Sequence, residues 1–287
     1  MKLDGRAAVV TGGSQGLGLA VAGAFAAEGA DVLICGRGEE ALDKARGQLS
    51  ACTRTGRRVV AAVADVSRPE DSERLVSSAL DAFGRLDVLV NNAGVYGPMG
   101  LLEDVDWGEW ARALEINLLG TVLPCRAALP HMKNAGHGKI INLSGGGATA
   151  PMPRISAYAA SKAAVVRFTE TLAEEVRQDG IDVNAVAPGA LNTRLLEQVL
   201  SAGAQRVGAD YYEKSVRQKQ QGGASMDSAA ALCVFLASAR SGGLTGKLIS
   251  AVWDPWETLP AHATALAKSD IYTLRRIVPK DRGEDWG

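Results

Sequence analysis

Seven short runs rich in β-branched residues punctuate the chain, and the stretches between them carry helical periodicity. The runs are Ala7 to Thr11, Asp31 to Cys35, Arg58 to Val63, Leu86 to Asn91, Lys139 to Ser144, Asp182 to Ala187 and Lys247 to Val252. Strands separated by such segments pair in parallel and need crossover helices packed on the sheet. The spacing therefore predicts an α/β fold, a parallel seven-stranded sheet with helices on both faces. Leu17, Ala20, Val21, Ala24 and Phe25 share one helical face after the first run, and Gly29 closes the segment as a C-cap would. Pro69 opens a second helical segment that ends at Gly84. Two longer ones run from Trp107 to Asn134 and from Ser156 to Asp179.

Of the 287 residues, 47% are apolar and 22% charged, an ordinary globular composition that excludes disorder and a disulfide mini-scaffold. A net charge of −1 offers no basic footprint, so neither nucleic acid nor a membrane surface is expected as a partner. Cys35, Cys52, Cys125 and Cys233 have no CxxC spacing, and His131, His137 and His262 have no ligand spacing, so no metal site is expected. No apolar stretch approaches the roughly 20 residues that span a bilayer, and the first apolar run ends at Val10, too early for a signal core. A cytoplasmic protein is the expectation. With no repeat or linker in sight, residues 1–252 read as one domain. Residues 190–225 form a polar, mobile-looking segment suited to substrate contacts. A C-terminal extension over 253–287 follows, to be packed on the domain or on a neighbouring subunit.

The first run leads into Thr11-Gly12-Gly13-Ser14-Gln15-Gly16-Leu17-Gly18 and then a helix. A strand, glycine-rich turn and helix in that order aim backbone N–H groups and a positive helix end at a pyrophosphate. Further along come Asn91-Asn92-Ala93-Gly94, Asn117, Tyr158 with Lys162 four residues on, and Pro188-Gly189. In this order and spacing the chain, over about residues 3–252, resembles the compact branch of the short-chain dehydrogenase/reductase family. The resemblance implies a Rossmann-type, doubly wound sheet in the order 3-2-1-4-5-6-7, with a nicotinamide nucleotide across the carboxyl ends of the strands. It also implies that Gly12, Ser14, Gln15, Gly16, Leu17 and Gly18 line the pyrophosphate and adenosine. Asp65 with Val66 would read the adenine edge, although an Asp ending a strand can equally be a turn residue. Asn91, Ala93 and Gly94 would border the cofactor, and Pro188, Gly189, Leu191 and Thr193 would touch the nicotinamide carboxamide side.

The second strand ends in Cys35-Gly36-Arg37, with no carboxylate to accept the ribose 2′-OH and a cation beside the place where a 2′-phosphate would sit. NADP(H) is favoured over NAD(H), unless Arg37 only caps a solvated turn. Tyr158 and Lys162 share one helical face, and an ammonium beside a phenol would let it exchange a proton near neutral pH. The resemblance gives Lys162 the nicotinamide ribose as well, and makes Asn117 the residue that holds a water in the proton relay. The substrate-polarising serine of the family falls on Gly145. Ser144 is one place earlier, so it reaches the pocket only if the glycines at 145–147 bulge the chain; otherwise a backbone N–H takes the role.

The expected activity is NADP(H)-dependent interconversion of a small-molecule carbonyl and a secondary alcohol, with Tyr158 as general acid/base. A sugar-nucleotide epimerase or dehydratase and a non-catalytic NADP sensor are the alternatives. The resemblance also implies a homodimer or homotetramer through the helices of 107–134 and 156–179. Trp253 and Trp256 in the extension are expected to be buried, and Arg275, Arg276, Lys280 and Arg282 either face an anionic substrate or form a solvated charged end.

Overall fold

The computed structural model describes residues 1–53 and 56–286, leaving Arg54, Thr55, Gly287 and the side chain of Cys52 outside the description. Seven strands form one sheet: β1 (Ala7–Thr11), β2 (Asp31–Gly36), β3 (Val59–Val63), β4 (Val88–Asn91), β5 (Gly138–Leu143), β6 (Ile181–Ala187) and β7 (Leu248–Ser250). Their spatial order is β3-β2-β1-β4-β5-β6-β7, and every neighbouring pair is parallel. The helices are α1 (Gly16–Ala27), α2 (Glu39–Cys52), α3 (Pro69–Phe83), α4 (Trp107–Leu114), α5 (Gly120–Ala135), α6 (Ser156–Glu175), α7 (Arg194–Val207), α8 (Ala209–Gln221), α9 (Met226–Ala237) and α10 (Ala263–Ala267).

β1, β4 and β5 are buried at every residue, so their apolar runs serve both faces at once. Alternate residues divide between two cores. Val10, Val90 and Ile141 pack with Phe25 of α1, Leu42 of α2 and Phe235 of α9, whereas Val9, Leu89 and Ile140 pack with Leu75 of α3, Met132 of α5 and Leu172 of α6. This is the parallel α/β architecture that the strand spacing predicts, in the Rossmann-type arrangement that the resemblance implies. Between β1 and β4 the winding reverses, which opens a crevice at their carboxyl ends.

Several local expectations change. The segment 107–134 is one trajectory in three pieces, because a π-helical turn over Glu115–Leu119 separates α4 from α5. Within residues 190–225 lie α7 and α8, joined at Gly208. β7 stops at Ser250, whose Oγ accepts from the N–H groups of Val252 and Trp253 and whose own N–H donates to Asp254 Oδ2 at 2.7 Å. A side chain here replaces the ladder, so the chain turns before Val252.

The C-terminal residues return along the outer edge of β7. Trp256 rests on Phe235 with ring centroids 5.3 Å apart, and Leu259 and Leu266 are buried. Lys247 Nζ donates to the carbonyls of Ser269 and Ile271, Leu248 N–H donates to Tyr272 O, and Leu274 N–H donates to Glu170 Oε1 on α6. Trp253 departs from the expected burial: it is 83% exposed within the chain. Arg275 pairs with Asp270 and Asp281, so this cation is held within the extension.

Candidate active site

At the carboxyl end of β1, Gly12 adopts φ +63°, a left-handed conformation that favours glycine. Gly18, at the start of α1, is required for a different reason. A Cβ there would lie 2.3 Å from Gly12 O and 2.5 Å from Asn92 Nδ2, so any side chain would push the turn off β4. Asn92 is the brace: its Nδ2 donates to Thr11 O and Gly12 O, while Thr11 Oγ1 accepts from the N–H groups of Asn92 and Ala93. The turn and the end of β4 are thereby locked together by bonds from the Asn92 and Thr11 side chains to the main chain. Thr193 lies beside Gly16, and Ser14 Oγ beside Gly36, which brings the 188–193 segment and the end of β2 to the same crevice. Arg37 is exposed there and makes no ion pair among the described residues.

Not every sequence candidate points into this crevice. Asn91 belongs to β4, and its Nδ2 donates to Asn142 Oδ1 at 2.9 Å and contacts Cys125 Sγ. Asn142 in turn donates to Thr169 of α6, so the Asn91 side chain is part of a buried polar ladder under the α5 and α6 layer. Only the main chain of Asn91 faces the crevice end, and the neighbouring Asn92 does the bracing. Asp65 directs Oδ1 to Ser67 and Oδ2 to Arg112 at 2.6 Å, and these bonds hold its carboxyl below the usual range. Those are the contacts of a turn residue. Val66 is buried against Gly120 of α5. Leu191 packs on the α1 and α9 core, and Gly189 sits against Val252 and Ala224.

The catalytic candidates meet at the far wall. Lys162 is buried, donates from Nζ to Leu143 O at 2.8 Å, and lies under Gly94, where a Cβ would come 3.5 Å from Nζ and 3.1 Å from Asn117 Oδ1. Asn117 sits in the π turn. Its Oδ1 accepts from Val95 N–H, and its Nδ2 donates to Val95 O and Ser161 Oγ at 2.8 and 2.9 Å. A buried amide satisfied on both sides in this way positions the loop after β4 and the first turns of α6. Its side chain is therefore a brace between these segments.

Tyr158 Oη lies over Gly145. A Cβ at that position would stand 2.1 Å from the phenol oxygen and 2.8 Å from Cζ, so the missing side chain leaves the volume that the hydroxyl occupies. The bulge that would bring Ser144 to the pocket is absent: Ser144 N–H bonds to Val186 O as the β5 to β6 ladder continues, and Gly145 is extended. Extended neighbours project to opposite sides, which leaves Ser144 on the side of Asn142 with its Oγ buried and unpartnered. Burial pushes the Tyr158 phenol well above its ordinary value, with Tyr211 adding to the rise, and pushes Lys162 down to about 8. In this arrangement desolvation outweighs the attraction expected of the lysine, whose Nζ is 5.7 Å from the tyrosine ring centroid.

Two tyrosines that the motif pattern does not mark complete the wall. Tyr96, two residues beyond Gly94, meets the Tyr158 ring edge-on with centroids 4.6 Å apart, and its hydroxyl is 3.4 Å from that of Tyr211 on α8. Among the described residues no group of three or more His, Cys, Asp or Glu could hold a metal ion, and no helix is long and apolar enough to cross a membrane.

A crevice floored by Gly12 and Gly18, where a Cβ would clash, at the N-terminus of α1 and beside an exposed cation, fits a dinucleotide. The comparisons agree with that geometry. The short chain dehydrogenase family matches residues 6–203. Dehydrogenase/reductase SDR family member 4 of Sus scrofa is 32% identical over 247 residues, covering 86% of each chain. D-beta-hydroxybutyrate dehydrogenase of Cupriavidus necator is 34% identical, covering 88% of this chain and 96% of its own. Among solved structures, levodione reductase superposes with a TM-score of 0.79 at 28% identity, covering 90% of this chain and 99% of its own. NAD+-bound xylitol dehydrogenase gives 0.80 at 29% identity, covering 87% and 98%. The chain belongs to the short-chain dehydrogenase/reductase family and is an NAD(P)-dependent oxidoreductase.

Proposed function

We propose that the protein interconverts a ketone or aldehyde with the corresponding alcohol using NADP(H), and that Tyr158 is its proton donor and acceptor. The observation that carries this reading is the phenol oxygen standing free over Gly145, without a hydrogen-bond partner among the described residues, at the open end of the sheet. Bound nicotinamide would supply the hydride. The chain supplies position and proton: the Gly12 to Gly18 turn and the N-terminus of α1 hold the pyrophosphate, Lys162 reaches the ribose side under Gly94, and Tyr158 bonds the substrate oxygen. Relatives support an alcohol-to-carbonyl reaction, since they are named for a hydroxyacid, a hydroxysteroid, glucose and fucose. These substrates share a hydroxyl and no larger scaffold.

The preference for NADP(H) rests on Gly36 in place of an acid and on the unpaired Arg37, whose guanidinium is free to meet a 2′-phosphate. A homo-oligomer is part of the same reading. Trp107, 70% exposed, stacks on Trp110 of α4 at 5.2 Å, and Leu119 is exposed where α5 begins, an apolar strip that a second copy would cover. NADPH and NADH oxidation, each followed at 340 nm with a panel of ketones and aldehydes, tests the activity. Turnover that is faster with NADPH supports the reading, and binding of NADPH without oxidation by any carbonyl overturns it. Sedimentation showing only a monomer at micromolar concentration would remove the oligomer.

A further inference from the structure

The family serine position is Gly145, and its space is filled by Tyr158 Oη. Ser144 stays in the β5 to β6 ladder with its Oγ buried and away from the phenol. With Tyr158 as its one side-chain donor, a substrate oxygen could swing about that bond. A second donor on the same wall would fix the oxygen and share the charge that develops on it.

Tyr96 and Tyr211 are the hydroxyl side chains that converge there. Tyr96 lies against the Tyr158 ring, and Tyr211 is 3.4 Å from it, oxygen to oxygen. Two phenols carry two hydroxyl protons, and their mutual bond uses one. The other is left to donate to a third oxygen. Both residues are half-buried, so that third oxygen would be shielded from bulk water. α8 is also held in place relative to the cofactor segment. Gln218 Nε2 donates to Asn192 Oδ1, next to Thr193, and Lys219 pairs with Glu197 of α7 at 2.8 Å.

Building on the carbonyl reading above, we propose that the Tyr96 and Tyr211 hydroxyl pair binds the substrate oxygen opposite Tyr158, as the second donor that Gly145 does not supply. Tyr211 makes the contact, and Tyr96 is a positioning residue that orients the Tyr211 proton. The proton transferred in the reaction remains with Tyr158. The pair only hydrogen-bonds, so no bond to it forms or breaks.

The test separates this pair from the reaction itself. Secondary alcohols cannot react with a reduced cofactor, so 2-butanol, cyclohexanol and 1-phenylethanol are titrated into the NADPH-loaded protein, with nicotinamide fluorescence as the readout. Ketone reduction is measured in parallel. Tyr211→Phe keeps the ring and removes only the hydroxyl. It is expected to weaken alcohol binding about fivefold and to lower kcat about 30-fold, with the KM for NADPH unchanged. Tyr96→Phe moves both in the same direction by less, and Tyr212→Phe, the neighbouring control, moves neither. Alcohol binding and kcat equal to the parent in Tyr211→Phe overturn the pair, as does a loss that follows Ser144→Ala instead. A parent that binds none of the three alcohols also counts against it. If the parent binds alcohols and Tyr211→Phe weakens them while no carbonyl is turned over, the pair stands and the carbonyl reading falls.

Discussion

The cofactor wall and the substrate wall of the crevice are built on opposite plans. Along the cofactor wall the main chain is pinned: the Asn92 side chain ties Thr11 and Gly12 to β4, and Gly18 admits no Cβ because Gly12 O and Asn92 Nδ2 lie within 2.5 Å of where it would be. The substrate wall is made of side chains from segments far apart in sequence, with Tyr96, Tyr158 and Tyr211 brought together from the loop after β4, from α6 and from α8. The first plan suits a ligand part of fixed shape. The second leaves the ligand-facing surface free to vary without disturbing the sheet.

Substitutions on each wall should separate the two plans. The largest effect is expected from Gly18→Ala, whose methyl meets backbone that cannot yield. NADPH binding should be lost, and chemical denaturation should register about 3 kcal/mol of destabilisation, the upper end for overpacking. Normal NADPH affinity in this variant would break the comparison. Gly145→Ala is its counterpart: a Cβ 2.1 Å from Tyr158 Oη must displace the phenol, so kcat should fall about 100-fold while NADPH affinity holds. A rate near that of the parent would mean the hydroxyl has no fixed place.

Arg37→Ala should narrow the affinity gap between NADPH and NADH by about tenfold, the lower end for a charge-assisted contact at an exposed site. Titration of both cofactors into both proteins measures it, and an unchanged ratio removes Arg37 from cofactor selection. The last test concerns the lysine. Burial lowers Lys162 to about 8, below its ordinary value of 10.5, so in this window the unfolded chain binds more protons than the folded one. The Lys162 contribution to stability should therefore rise with pH between about 8 and 10.5. The difference in unfolding free energy between the parent and Lys162→Met should show that rise, and a flat difference would place the ammonium in a wetter site.

What the sequence revealed follows the same division. The seven strands and the glycine turn were legible because β-branched runs and the glycine spacing up to Gly18 encode them locally, whereas the strand order came with the family resemblance. α9 left no periodic trace, since Ala229 to Ala237 are almost all buried and an all-round apolar helix resembles a strand run. α7 and α8 were hidden by polar composition and by the φ +78° kink at Gly203. Tyr211 could not be found by any local motif, because its partner Tyr96 lies 115 residues away. Asn91 and Asn92 show the same limit: two adjacent asparagines on alternating strand faces have different environments, and the motif does not say which of the two side chains braces the glycine turn.

The central claim is that Tyr158 handles a proton and does not hold the nucleotide. It is tested most directly by measuring NADPH binding and ketone reduction on Tyr158→Phe in the same preparation. The account predicts an NADPH dissociation constant within about twofold of the parent and a kcat lower by at least about 100-fold, the scale for losing a general acid. Ketone reduction at the parental rate in that variant would contradict it.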